Sequence, residues 1–206
     1  MLNKIVSRLR RISFFTSPQK EQLSMRLDLQ NFKDTSHNNL PQNYSFSYYQ
    51  SGDEDKWLML LNKSNDFGVW NLQRLHSEIL QSLVNNGGIF VINNNELIGC
   101  TSICKIENYA SAAVLMYVFV SQEHRGKKIG KCMISKALII AKEQNFPEIV
   151  LKTDDFRRSA IKEYFELGFL PNLETSADAH KRWNSITLEE YGININKYLI
   201  DKKNRQ

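Results

Sequence analysis

Over the first fifteen positions Leu2, Ile5, Val6, Leu9 and Ile12 recur at helical spacing, with Lys4, Arg8 and Arg11 on the other side. That is the pattern of an amphipathic helix. A polar stretch at 31–43, rich in Asn, Asp, Ser and Thr, reads as a linker. Alternation then takes over. Residues 44–49 (YSFSYY) predict a strand, Ser51-Gly52-Asp53 a turn with an N-cap, and 53–63 a short helix carrying Trp57, Leu58, Leu60 and Leu61. After a loop at 64–70, the stripe Leu72, Leu75, Ile79, Leu80 and Leu83 predicts a second helix over 71–85, ended by Asn86-Gly87-Gly88. Segments 89–92 and 97–106 flank a tight turn and predict a hairpin, and 112–120 a further antiparallel strand. A basic loop follows, then a helix of about fifteen residues closed by Phe146-Pro147. Beyond it lie a strand at 148–153, a helix at 159–167 capped by Gly168, a short strand at 169–171 and a helix at 177–190. Residues 191–200 fit a strand or a loop.

Composition narrows the class. Of 206 residues, 42% are hydrophobic and 24% charged, enough apolar side chain to exclude disorder throughout. No apolar run approaches the ~20 residues of a membrane-spanning helix. The first fifteen residues are no secretory signal, because no apolar core of about 7–15 residues follows the charges. The net charge of +5 is uneven: residues 1–43 hold seven Lys/Arg against three Asp/Glu. The chain therefore divides into a basic arm, 1–43 (amphipathic helix plus linker), and a near-neutral domain, 44–206, with a helical C-terminal extension. Near-neutrality argues against a nucleic-acid partner. The arm is expected to pack on the domain or on a second copy in a homodimer, or to touch a partner or a membrane surface. Three cysteines form no disulfide framework and suit a reducing, cytoplasmic location. Cys100 and Cys104 sit ~13 Å apart along one strand face, too far for a disulfide, and no ligand spacing predicts a metal site.

The chemistry concentrates after Val120, in Ser121-Gln122-Glu123-His124-Arg125-Gly126-Lys127-Lys128-Ile129-Gly130-Lys131. A helix N-terminus offers unpaired N–H groups and partial positive charge. Glycine lets a ligand approach the backbone closely, and Arg125, Lys127, Lys128 and Lys131 add formal charge. These features make a cradle for phosphate or pyrophosphate. Neither the G-x-x-x-x-G-K-[ST] nor the G-x-G-x-x-G spacing is present.

Arg125-Gly126-Lys127-Lys128-Ile129-Gly130 resembles the R/Q-x-x-G-x-G/A fingerprint of the GNAT superfamily of acyl-CoA-dependent N-acyltransferases, with Lys128 at a position usually held by glycine. A second segment, Ala160-Ile161-Lys162-Glu163-Tyr164-Phe165-Glu166-Leu167-Gly168-Phe169, resembles that family's A-I-x-x-Y-x-x-x-G-F. The order of elements over 44–171 is also the family's.

The resemblance implies an α/β (α+β) fold: a mixed, mostly antiparallel central sheet with helices on both faces, splayed between the fourth and fifth strands, at 112–120 and 148–153. It implies acetyl-CoA as co-substrate. The pantetheine arm would enter the splay against the backbone of Val118, Phe119 and Val120. The pyrophosphate would rest on residues 125–131, that is Arg125, Gly126, Lys127, Lys128, Ile129, Gly130 and Lys131, with Ser159 a further cofactor contact. Tyr164 would be the general acid for the leaving thiolate. Relatives often carry a Glu base on the fourth strand, but 112–120 holds no acid, which leaves Glu107 and His124 as weak candidates. Asp154 and Asp155, at the end of the fifth strand, stand near where a substrate would lie. Many relatives carry Asn where this chain has Arg157. The expected reaction is acetyl transfer to the primary amine of a small molecule in a ternary complex. The alternatives are a protein or peptide amine, or a non-catalytic acyl-CoA-binding or interaction module.

Overall fold

The computed structural model describes residues 21–30, 32, 39–64, 66–109, 111–173 and 176–191. The helix expected over 1–15, and the segment expected after residue 191, lie outside them. The first strand, β1 (Leu23–Asp28), arises inside the stretch expected to be an arm. Leu23, Met25 and Leu27 alternate with Ser24, Arg26 and Asp28, and all three apolar side chains are buried. β1 is an inner strand. It pairs antiparallel with β6 (Glu148–Thr153) along its whole length and, on its other edge, with β7 (Leu170–Pro171). Among the described residues the sheet therefore begins at residue 23, ahead of the strand expected at 44.

The next elements are β2 (Tyr44–Tyr48), α1 (Glu54–Leu61) and α2 (Leu72–Glu78). The helix expected over 71–85 is shorter than its apolar stripe suggests. It stops at Glu78, passes through a 3-10 turn (Leu80–Ser82), and Leu83 already belongs to β3 (Leu83–Asn93). Close backbone packing is the reason. A Cβ on Gly87 would lie 2.5 Å from the Ile103 carbonyl, and one on Gly88 2.6 Å from the Tyr49 Cβ. Only glycines fold this bulged segment of β3 against its neighbours. The hairpin partner β4 (Glu96–Lys105) and then β5 (Ala113–Val120) follow as expected.

Three more helices complete the fold: α3 (Ile129–Glu143), α4 (Arg158–Glu166) and α5 (Ala177–Tyr191). The seven strands lie in the order β2-β3-β4-β5-β6-β1-β7, antiparallel throughout except for β5 and β6. Helices cover both faces, as expected. Trp57, Leu60, Leu75 and Ile79 bring α1 and α2 onto Phe90, Cys100 and Phe119, and full burial of each aliphatic side chain is worth about 1.5–3 kcal/mol. On the other face Ile134 and Leu138 of α3, Ile161 of α4 and Trp183 of α5 close the larger core.

One irregularity positions everything that follows. β5 pairs with β6 only at Ala113, Val114 and Leu115. Against β4 its register slips, so that Cys100 faces Phe119 while Ser102 faces Met116. This is a β-bulge, and its residue Tyr117 adopts a left-handed φ of +54°. Thr101 Oγ1 and Ser102 Oγ both donate to the Met116 carbonyl, at 3.0 and 3.3 Å, and pin the bend. β6 runs on straight, held by β1. The two strands part beyond Leu115, which is the splay expected between 112–120 and 148–153.

Candidate active site

The parting strands open a cleft of about 980 Å³. Its β5 wall is Val114 to Val118; its other wall comes from Lys152, Thr153 and the turn that carries Asp154 to Arg157. Tyr164 of α4 forms part of the lining, as do Phe67 and Arg74 from the α1–α2 side. Among the described residues, the edge of β5 beyond Leu115 has no strand partner on the cleft side. Thr153 Oγ1 is buried and has no hydrogen-bond partner among the described residues. A ladder edge and a buried hydroxyl, both unsatisfied, suit an extended ligand with amide groups.

At the β5–α3 corner Gly126 has φ +77°, and a Cβ there would meet nothing within 4 Å. Residues 125–128 are exposed. The amides of 126–131 have no protein acceptor among the described residues, so the backbone cradle is open. Lys128, the helix N-cap, sits at φ +61° with no side-chain cap, in the left-handed region that glycine adopts at no steric cost. The cations are less free than their spacing suggests. Arg125 pairs with Asp66 at 2.7 Å and donates from Nε to the Val120 carbonyl at 2.9 Å. Lys127 donates to the Tyr44 hydroxyl, and Lys131 pairs with Glu166 at 2.7 Å.

Val118 lines the cleft, whereas Phe119 is buried against the α1–α2 face and Val120 pairs with Gly99. Ile129 is buried, Gly130 is half-buried, and Ser159 is exposed on the first turn of α4. Tyr164 is buried with its ring edge-on to Phe169 at 5.7 Å. Burial pushes its phenol up to about 12, against the pull of Arg157. Its hydroxyl has no hydrogen-bond partner among the described residues. Neither weak base candidate reaches the cleft lining. Glu107 lies in a 3-10 turn after β4, and His124 is hydrogen-bonded through Nδ1 to the Tyr44 hydroxyl. Asp154 and Asp155 do line the cleft, but both are engaged. Asp154 takes Arg157 Nε at 3.1 Å and Gln22; Asp155 takes Arg182. Arg157 also donates to the Asp66 carbonyl and stacks on Phe67 at 4.9 Å, so this departure from the family's Asn ties the α1–α2 loop across the cleft.

Sequence patterns do not single out Glu78, Tyr117 or Arg74. They come together only through the bulge and the seating of α2.

Glu163 of α4 stands beside the cradle helix. Its Oε2 lies 3.4 Å from where a Cβ on Gly130 would stand. Burial raises its pKa, with Lys131 opposing and Glu166 reinforcing. A carboxyl with a raised folded pKa favours the fold while protonated, and that contribution is lost as pH climbs through the raised value. Glu163→Gln should therefore raise the melting temperature at pH 7 and leave it unchanged near pH 3.5, below the ordinary Glu value of about 4.3. Equal gains at both pH values in thermal scans would show that burial does not govern this group.

Among the described residues no helix is long and apolar enough to cross a membrane, and no cluster of three or more His, Cys, Asp or Glu could hold a metal ion.

Residues 55–169 match the Acetyltransferase (GNAT) family. N-acetyltransferase 8F1 of Rattus norvegicus is 26% identical over 98 residues, which cover 45% of this chain and 44% of that protein. The chain thus spans just under half the length of that relative. A GCN5-related N-acetyltransferase from Sphaerobacter thermophilus superposes with a TM-score of 0.61 at 13% identity, over 74% of this chain and 50% of the other. Arabidopsis thaliana Naa50, solved with the bisubstrate analogue CoA-Ac-MVNAL, superposes with a TM-score of 0.51 at 20% identity, over 62% and 83%. At these identities the superpositions speak for the fold alone.

Proposed function

The chain belongs to the GNAT acetyltransferase family, and from that premise we propose that it transfers the acetyl group of acetyl-CoA to a primary amine by direct attack in a ternary complex. The observation that carries the reading is the parted edge of β5 leading straight to the open amides after it. A pantetheine arm has amides that can complete a strand ladder, and its pyrophosphate needs N–H donors at a helix N-terminus. The amides of residues 126–131 are the donors for the pyrophosphate, and the edge of β5 beyond Leu115, where its pairing with β6 ends, is the ladder for the pantetheine. Thr153 Oγ1 adds a buried polar contact within the cleft. A β5 amide near the bulge would polarise the thioester carbonyl, an interaction that strengthens as negative charge develops on oxygen. Tyr164 protonates the departing thiolate.

For the acceptor, our first reading is the amine of a small molecule. A second reading is the amine of a peptide. It is favoured by Phe156, which lines the cleft while 77% exposed and extends an apolar rim outward. Release of the CoA thiol, followed with acetyl-CoA and a panel of small amines and short peptides, tests the reaction and separates the acceptors. Acetyl-CoA binding without amine-dependent thiol release from any of them would leave a binding module and overturn the transferase reading.

A further inference from the structure

Of the three tyrosines that line the cleft, Tyr109, Tyr117 and Tyr164, the last two have differently committed hydroxyls. Tyr164 has no hydrogen-bond partner among the described residues. Tyr117, the left-handed residue of the bulge, donates its hydrogen to Glu78 Oε2 on the last turn of α2. The ring of Tyr117 is fixed edge-on by Trp70 at 4.8 Å and by Phe67 at 5.4 Å. Glu78 is held from its other oxygen by Arg74 Nε at 2.8 Å. Arg74 in turn lies over the Trp70 ring at 4.1 Å and donates to the carbonyls of Phe67 and Val69. The acceptor group is therefore built, not incidental. A phenol whose only hydrogen is given to a carboxylate keeps its lone pairs to accept an N–H.

We propose that Tyr117, oriented by Glu78, takes the proton from the incoming ammonium and supplies the base that 112–120 lacks as an acid. The proposal rests on the transferase reading above. The ammonium gives one proton to the Tyr117 oxygen as the phenolic proton passes to Glu78, whose carboxylate, 37% exposed, releases it to water. The neutral amine forms the N–C bond. The C–S bond then breaks, its electron pair leaving on sulfur. Tyr164 protonates that thiolate, and the second N–H proton replaces the one Tyr164 gives up. Tyr117 is the catalytic group here, because it touches the amine; Glu78 is a positioning residue that acts through it.

Four carboxylates line the cleft, Glu21, Asp66, Asp154 and Asp155, and the three aspartates are committed to cations. Asp66 is held by Arg125, Asp154 by Arg157, and Asp155 by Arg182. The charged groups that line the cleft with Tyr117 are Arg74 on α2, Asp66 in the loop before it and, from the other elements, Glu21, Lys152, Asp154, Asp155, Arg157 and Arg182. Burial acts to raise the pKa of Glu78, but the hydrogen bonds from Arg74 and Tyr117 outweigh it and hold the group below the usual range. It stays an anion at neutral pH, ready to accept. Burial and the Glu78 carboxylate keep Tyr117 protonated.

The test is the pH profile of kcat/KM for Tyr117→Phe, Glu78→Gln and the double variant, with acetyl-CoA affinity measured alongside. At pH 7 Tyr117→Phe should lose about tenfold, less than the usual range of about 10²–10⁴ for a positioned base because water can substitute in part. That deficit should shrink as pH passes the pKa of the amine, since a free amine needs no base. Glu78→Gln should show the same trend. The double variant should be no worse than Tyr117→Phe alone, because both act in one relay. Acetyl-CoA affinity should stay within about threefold. A deficit equal at every pH, no deficit, or additive losses would overturn the relay while the transferase reading stands. A wild-type chain that transfers to no amine would overturn the transferase reading itself.

Discussion

Gly126→Asp should abolish acetyl-CoA binding, with affinity falling at least about 100-fold in calorimetric titration, as expected when a fixed negative charge is set directly against the charges of a diphosphate. Three features of Gly126 make this a sharp test. Its φ of +77° is one that Asp and Asn tolerate better than other side chains. A Cβ there meets nothing within 4 Å, so the fold itself has room for it. The neighbouring amides have no protein acceptor among the described residues, so a carboxylate at 126 lands where a phosphate oxygen is expected. Gly126→Asn serves as the control, since it brings nearly the same shape and backbone strain without the charge. The Asn variant should lose far less affinity than the Asp variant, and both should melt within a few degrees of each other. Equal losses in the two would mean that shape or strain, not charge, governs this corner. Unchanged binding in the Asp variant would move the pyrophosphate away from the loop.

That corner was legible in the sequence because its logic is local. A glycine flanked by cations between an apolar strand and an apolar helix states an anion site within about ten residues. The order of elements over 44–171 was legible for a similar reason, since each has its own period and its own stop. What escaped local reading depends on distant partners. Leu23, Met25 and Leu27 alternate as a strand should, but six residues amid polar sequence do not say which sheet they join. The open edge of β6, more than a hundred residues later, decides it. The stripe from Leu72 to Leu83 is helical in spacing, yet the contacts of Gly87 and Gly88 with the neighbouring strand and loop turn its end into β3. The bulge could not be read at all. Its left-handed residue is a tyrosine, not the glycine that such a conformation usually signals. The partners that hold Tyr117 arrive from α2 and from the loop before it.

Tyr164→Phe should lower kcat about 100-fold, the low end for a positioned proton donor, while leaving acetyl-CoA affinity and thermal stability nearly unchanged. The substitution removes one oxygen. The ring keeps its contacts with Phe169 and the core beside Ile161, so packing is not at stake, and no hydrogen bond among the described residues is lost. A phenol held at about 12 by burial does not ionise at working pH, and on its own it is too weak an acid to protonate a free thiol's conjugate base, whose pKa is near 8.5. It functions only if a second proton arrives as the first leaves, and the attacking nitrogen supplies that proton in the same step. The deficit of Tyr164→Phe should therefore persist at high pH, where the amine enters already neutral but must still shed a proton after attack. Tyr117→Phe should recover over the same range. Two phenols in one cleft, one spoken for by Glu78 and one not, thus separate into acceptor and donor by the shape of two pH profiles. If both profiles run parallel, the difference in their hydrogen bonding has no catalytic meaning. If Tyr164→Phe turns over like the wild type, its ring is there for the core and the thiolate leaves with a proton from water.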